Sequence, residues 1–219
     1  MGQDDQSPAD LEWRDGAIPV SRRFDDPYFS LNGGLAETRH VFLAGNDLPS
    51  RLVPGFHVAE LGFGTGLNLL ALAQVAAVPV RFTSFEAYPM SLPELARAHA
   101  AFPELADLAQ ALRTGWPARR FQLGQVAVEI IEADARQALP DWPGRADAWF
   151  LDGFSPAKNP ELWGAELMAE VGRHTAPQGT FSTYTAAGHV RRALSDAGFA
   201  VTRAQGFAGK RHMSRGLRA

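Results

Sequence analysis

A doubly wound α/β fold with a mainly parallel sheet and an N-terminal extension is the class this sequence predicts. Three observations carry that expectation. From about residue 56 onward, short β-like runs alternate with helical patterns, the order produced by strands joined through right-handed helical crossovers. The first of these strands ends in an acid, three alternate glycines and a helix, "ELGFGTGLN". The 219 residues, 46% of them hydrophobic, are enough for one full α/β core without covalent staples.

The elements follow in order. The start, "MGQDDQSPAD", is acidic and lacks a signal peptide's apolar segment, so residues 1–12 read as a disordered tail. Residues 13–55 do not alternate and read as an extension packed on the main domain, with one helix around "GLAETRHVFLAG". The main domain, 56–219, opens with the strand "FHVAEL" (56–61) and the helix "LNLLALAQVAA". Then come "VRFTSFE" (80–86) with "SLPELARAHAAF", and "VAVEIIEAD" (126–134). "ADAWFL" (146–151) leads to a helix from about Pro160, and "GTFSTYT" (179–185) to "GHVRRALSDAG". The chain finishes with "FAVTRAQGF" (199–207) and a basic end.

Composition excludes several chemistries. There is no cysteine, hence no disulfide, no cysteine-ligated zinc and no thiolate nucleophile. The longest apolar stretch, "LNLLALAQVAAVPV", is interrupted by Asn68, Gln74 and Pro79 and is too short to span a bilayer. A soluble cytoplasmic protein is the expectation. The formal charge of −3 gives no global sign of nucleic-acid binding, yet from His189 onward seven Lys and Arg face a single acid, Asp196. That cluster is either a solvated face or a local binding surface.

In such a sheet ligands sit beyond the carboxyl ends of the strands. Glu60 is followed by Gly62, Gly64 and Gly66, where the backbone can turn sharply and approach a ligand. The G-x-G-x-G spacing differs from the G-x-G-x-x-G of dinucleotide sites and matches the pattern of S-adenosylmethionine sites; a plain strand-to-helix turn is the alternative. Glu86 closes the second strand, where an acid can accept both ribose hydroxyls. Asp134 closes the third, placed either to accept from an adenine amine or to cap the next helix. The fourth strand delivers Asp152 into "DGFSPAKNPELW". There Asn159, Pro160 and Glu161 read as a helix start. Gly153 and Pro156 read as a rigid bend holding Asp152 and Phe154 at the crevice. Lys158 is either a solvated loop lysine or a phosphate contact.

"VSRRFDDPYFS", "GLAETRHVFLAGN", "ELGFGTGLN", "FEAYP", "AWFLDGFSPAKNPELW", "GHVRRALSDAGF" and "GFAGKRHM" together resemble the methyltransferase module of the MnmC/MnmD family. The resemblance runs from about Trp13 to Gly216, and the D-G-F-x-P-A-K-N-P string is its most specific part. It implies a Rossmann-like class I fold and S-adenosylmethionine as cofactor. It also implies methyl transfer to the aminomethyl group of a tRNA wobble uridine, giving 5-methylaminomethyl(-2-thio)uridine. Carried over by residue, it implies a cofactor site on Glu60, Gly62, Gly64, Gly66 and Glu86, with Asp152 the acid at the reacting amine; Asn68, Asp134 and Asp152 are expected to border the cofactor as well. Phe154, Lys158, Lys210 and Arg211 are the expected contacts to the tRNA anticodon loop, with Phe154 able to stack on an unpaired base or to pack under its loop. Lys210 and Arg211 are expected outside the adenosyl pocket. Phe24, Asp25, Tyr28 and Phe29 either close over the cofactor or cover the sheet. Several relatives continue into an FAD-dependent oxidase, so the chain resembles a stand-alone enzyme or an excised module. Without cysteine, methylation of a pyrimidine ring carbon through a thiolate adduct is excluded; an exocyclic amine needs no such nucleophile. A small-molecule amine methyltransferase, an NAD-linked oxidoreductase and a non-catalytic cofactor- or RNA-binding module are the competing readings.

Overall fold

The computed structural model describes residues 8–30 and 33–218. Residues 1–7 of the expected tail lie outside them, and its last two residues, Leu11 and Glu12, are in a strand. Strand β1 (Leu11–Arg14) pairs antiparallel with β2 (Ile18–Ser21), which pairs with the short β3 (Asp26–Pro27). The helix expected around "GLAETRHVFLAG" begins as α1 (Gly34–Thr38) and runs on through a wider turn, Arg39–Leu43, and a tighter one, Ala44–Asn46.

The main sheet starts with β4 (His57–Leu61), α2 (Leu67–Val75), β5 (Val80–Glu86) and α3 (Leu92–His99). In α3 the Ser91 backbone N–H and hydroxyl both donate to Glu94 at 2.7 Å, a capping box that fixes where the helix begins. Next come α4 (Ala106–Gly115), the hairpin of β6 (Arg120–Leu123) and β7 (Val126–Glu132), and α5 (Ala135–Ala138). The chain completes itself with β8 (Ala146–Leu151), α6 (Ala165–Arg173), β9 (Thr175–Thr183), α7 (Gly188–Asp196), β10 (Phe199–Gln205) and β11 (His212–Arg218). The strand order is β10-β11-β9-β8-β4-β5-β7-β6. The five central strands, β9 to β7, are parallel; β6, β10 and β11 run antiparallel to their neighbours. The chain winds outward from β4 through β5 to β7, then returns to β8 and winds the other way. The switch point therefore lies between β4 and β8, and a ligand crevice is expected beyond their carboxyl ends.

Strand side chains alternate between faces, and β8 shows it. Ala148 and Phe150 join the core that contains Val58, Phe82 and α2, whereas Trp149 and Leu151 join the one containing Phe85, Val190 and Trp163. Leu35, Val41, Phe42 and Leu43 belong to the first core. Residues 34–43 thus cover the same sheet face as α2.

Two local expectations are corrected. Pro160 opens only a single tight turn, Pro160–Trp163, and Asn159 makes no side-chain cap; Gly164, extended at φ −67°, ψ 152°, breaks the path and α6 starts at Ala165. The basic end is a strand: in β11, Met213, Ser214 and Gly216 are buried between β9 and β10, while Arg215 reaches out to Asp47. Among the described residues, no helix is long and apolar enough to cross a membrane.

The junction of the N-terminal segment with the sheet depends on Asn46, which is fully buried. Its amide donates to the carbonyls of Phe42 and Trp149 at 3.0 and 3.2 Å, and its carbonyl accepts from the Thr180 hydroxyl at 2.6 Å. Asn46→Ala leaves the Trp149 carbonyl and the Thr180 hydroxyl without this partner, and should lower the unfolding free energy by about 2–3 kcal/mol, the range for orphaned buried polar groups. Urea titration measures it; a change within about 0.5 kcal/mol would show that the junction does not depend on this residue.

Candidate active site

The carboxyl ends of β4, β5, β7 and β8 open onto a cavity of about 740 Å³. After Leu61 the chain turns through Gly62 at φ 81° and Gly64 at φ 54°. A Cβ on Gly62 would stand 3.3 Å from the Gly153 Cα, so the glycine loop meets the Asp152 loop backbone to backbone. A Cβ on Gly64 would stand 3.0 Å from the Tyr28 ring. Both glycines line the cavity. Gly66 does not: its Cα is pressed against Phe63, where a Cβ would approach to 2.6 Å, so it serves the turn rather than a ligand.

Glu60 also stands behind the wall rather than in it, which corrects its expected place as a ligand contact. It is fully buried; one oxygen accepts from the Asn68 amide at 2.8 Å and the other from the Ser84 hydroxyl at 2.6 Å. Burial drives its pKa well above the usual carboxyl range, against the pull of those two hydrogen bonds. The same Asn68 amide nitrogen donates to Asp152 at 2.8 Å, and the Asn68 carbonyl accepts from Thr38 at 3.1 Å. One primary amide therefore joins two carboxyl groups.

Asp152 itself is half-buried and lines the cavity. Its other oxygen accepts from the Gly153 N–H at 2.8 Å. Burial raises its pKa to about 6, opposed by the Gly153 and Asn68 hydrogen bonds and by Lys210, and assisted by Glu37. Glu86, buried at the end of β5, accepts from the Gly64 and Tyr88 N–H groups at 2.8 and 2.7 Å, one on each oxygen. Burial raises its pKa in spite of those bonds. Asp134 lines the cavity but acts as the cap of α5, accepting from the Arg136 N–H at 2.9 Å, and both its oxygens face the Arg136 guanidinium. Burial pushes its pKa up, and the Arg136 bonds outweigh that and hold it down.

The four expected RNA contacts lie in different surroundings. Phe154 lies in the cavity wall stacked on Phe24, with ring centroids 4.7 Å apart, and meets the Tyr28 ring edge-on at 4.9 Å. Lys158 is exposed yet engaged: it donates to the Asp25 carbonyl and pairs with the Asp25 and Asp26 carboxylates at 3.2 and 3.6 Å. The Ser155 N–H donates to Asp26 as well, at 2.8 Å, so the loop after β8 is tied to the N-terminal segment. Lys210, expected outside the pocket, lines it, with its ammonium 2.8 Å from Glu37 and 4.7 Å from the centre of the Tyr184 ring. Arg211 is exposed and does not line the cavity. Sequence alone does not single out Glu37, Thr38, Ser84 or Tyr184. Tyr184 follows directly on β9, a strand end with no acid to mark it, and Glu37 sits inside "GLAETRHVFLAGN".

The profile of a family described as S-adenosyl-L-methionine-dependent methyltransferase matches residues 103–219. The chain belongs to that family. It is 43% identical over 95% of its length to the tRNA 5-methylaminomethyl-2-thiouridine biosynthesis bifunctional protein MnmC of Pseudomonas aeruginosa PAO1, covering 35% of that protein. The chain spans about a third of the length of the curated relatives it matches. In fold it is similar to MNMC2 from Aquifex aeolicus, with a TM-score of 0.72 at 22% identity over 96% of this chain and 70% of that one. It is also similar to a precorrin-6y C5,15-methyltransferase from Geobacter metallireducens, with a TM-score of 0.55 at 15% identity over 92% and 94%.

The residues fit the cofactor that this family uses. Two glycines leave backbone exposed where a side chain would clash, and each Glu86 oxygen, having accepted one N–H, keeps a lone pair for a hydroxyl. Asp152 is an acid whose ionised form is disfavoured by burial and would be favoured by a nearby positive charge.

Burial of Asp152 makes the stability of the cofactor-free protein depend on pH. The Asp152 pKa rises from 3.8 to about 6 on folding, so its contribution to stability is complete below about pH 3.8 and is lost as pH rises through about 6. Between pH 4 and 7 the unfolding free energy of the parent should fall relative to that of Asp152→Asn by about 2–3 kcal/mol. Urea midpoints across that range check it; parallel profiles would show that Asp152 is not desolvated as described.

Proposed function

We propose that this chain transfers a methyl group from S-adenosylmethionine to the exocyclic amine of 5-aminomethyl(-2-thio)uridine at the tRNA wobble position. The product is 5-methylaminomethyl(-2-thio)uridine. The observation that carries the proposal is Asp152, held by Asn68 and Gly153 in the cavity wall where the β8 loop meets the glycine loop. The name of the 43% identical relative supports the choice of tRNA and nucleoside. A fused or separate FAD-dependent oxidase acting upstream would supply the primary amine, and a cytoplasmic location suits the substrate.

In this reading Gly62, Gly64 and Asn68 border the cofactor and Glu86 accepts its ribose hydroxyls. When bound, the cofactor supplies an electrophilic methyl group on a sulfonium. The attacking amine must be neutral and must aim its lone pair. A free alkylamine has a pKa of roughly 10.4, so full proton transfer to a free aspartate of pKa roughly 3.9 would cost about 9 kcal/mol. Raising Asp152 to about 6 narrows the gap to about 6 kcal/mol, still too large for a simple base. Asp152 instead accepts a hydrogen bond from the amine, orients it, and stabilises the ammonium charge that develops; the proton leaves to water. A flipped pyrimidine that stacks on the Phe154 face now covered by Phe24 would have to replace that ring.

Two measurements test the assignment. Glu86→Gln should weaken binding of S-adenosylmethionine by about 1.5–3 kcal/mol, the range for hydrogen bonds to a charged group. Calorimetry reads this, and unchanged affinity in a folded variant would remove Glu86 from the ribose site. Asp152→Asn should slow single-turnover methylation of acceptor tRNA about a hundredfold while leaving tRNA affinity near that of the parent. Amine protonation makes both rates fall on acidification; the parent should show a further fall below about pH 6, where Asp152 protonates, and the variant should lack it. Normal chemistry with weak cofactor binding would instead make Asp152 a cofactor contact alone.

A further inference from the structure

Lys210 is placed oddly for a surface lysine. Its ammonium lies 2.8 Å from Glu37 Oε1, and that carboxylate is only 12% exposed. The same ammonium stands 4.7 Å from the centre of the Tyr184 ring. Tyr184 is fixed from beneath, since its hydroxyl donates to the Gly153 carbonyl at 2.8 Å, one residue from Asp152. Glu37, Lys210, Tyr184 and Asp152 all line the same cavity. A carboxylate beside an aromatic ring is the arrangement that recognises an alkylammonium, through an ion pair and a cation–π contact. Here the chain's own lysine fills it. Glu37 lies in α1 and Lys210 in the turn before β11, so their pairing crosses 173 residues and joins two segments at the cavity.

Resting on the amine-methylation reading above, we infer that Glu37 and the Tyr184 ring form the docking site for the cationic amine of the substrate. Lys210 is its internal surrogate, displaced when the substrate enters. The incoming aminomethyl group arrives protonated, exchanges with the Lys210 ammonium at Glu37, and is then delivered as the neutral amine to neighbouring Asp152, its proton passing to water. The site selects a primary alkylammonium on a pyrimidine over the unmodified base, because a neutral ring substituent cannot displace Lys210 from a nearly buried carboxylate.

The test compares the parent, Glu37→Gln and Lys210→Met proteins, each with S-adenosylmethionine. Calorimetry measures their affinity for the nucleosides 5-aminomethyluridine and uridine, and steady-state methylation gives KM and kcat with tRNA carrying 5-aminomethyluridine. Glu37→Gln should weaken aminomethyl-nucleoside binding and raise KM about tenfold, with uridine and cofactor affinities unchanged. Lys210→Met removes the competitor and should strengthen aminomethyl-nucleoside binding severalfold. If both variants shift affinity in the same direction by the same factor, Glu37 serves only as the partner of Lys210 and the inference is overturned. If the parent methylates the tRNA and Glu37→Gln does so with the same KM, the wobble-uridine reading stands and the ammonium site does not. Glu37-dependent binding of the amine without any tRNA methylation would support the ammonium site and overturn the wobble-uridine reading.

Discussion

A single primary amide holds the active site together. Asn68 donates one hydrogen to Glu60 and one to Asp152, two carboxyl groups that burial and mutual repulsion would otherwise disfavour side by side. Its carbonyl is in turn fixed by Thr38, and the far oxygen of Glu60 by Ser84. The chain Thr38–Asn68–Glu60–Ser84 draws on α1, α2, β4 and β5, so the orientation of Asp152 is set by four elements that meet at the switch point of the sheet. Such a network is costly when incomplete. Here every oxygen of the two carboxyl groups has a donor.

The same constraint explains why the N-terminal segment is part of the site. Thr38 lies on α1, and the loop after β8 is fastened to residues 24–28 by Lys158, by the Ser155 N–H on Asp26, and by Phe154 between Phe24 and Tyr28. Residues that look in sequence like two candidate RNA contacts are thus the clasp between extension and loop. One face of Phe154 is already covered by the Phe24 ring.

Much of the central fold was legible because each strand carries its own signature. The runs ending at Glu86 and Leu151 coincide with β5 and β8, and the glycine loop announces the turn after β4 by its three positive φ angles. Less was legible where position is decided by tertiary partners. β11 was hidden because Arg215, Arg218 and the preceding Lys210 and Arg211 read as a basic end, while only Met213, Ser214 and Gly216 of the strand are buried. Glu60 and Gly66 carry the expected pattern yet stand one layer behind the cavity, since a motif records which residues recur and not which of them touches the ligand. Lys210 read as surface charge because Glu37, its partner, is 173 residues away in the chain.

The identity of the methylated atom distinguishes amine methylation from every other reaction this cavity could host. Labelled S-adenosylmethionine and tRNA lacking only this methyl group, incubated with the protein and digested to nucleosides, give the most direct reading by mass. Label is expected in one nucleoside, 5-methylaminomethyl(-2-thio)uridine, with the methyl on the side-chain nitrogen. Label on a ring carbon, on another nucleoside, or only on a free small amine would contradict it.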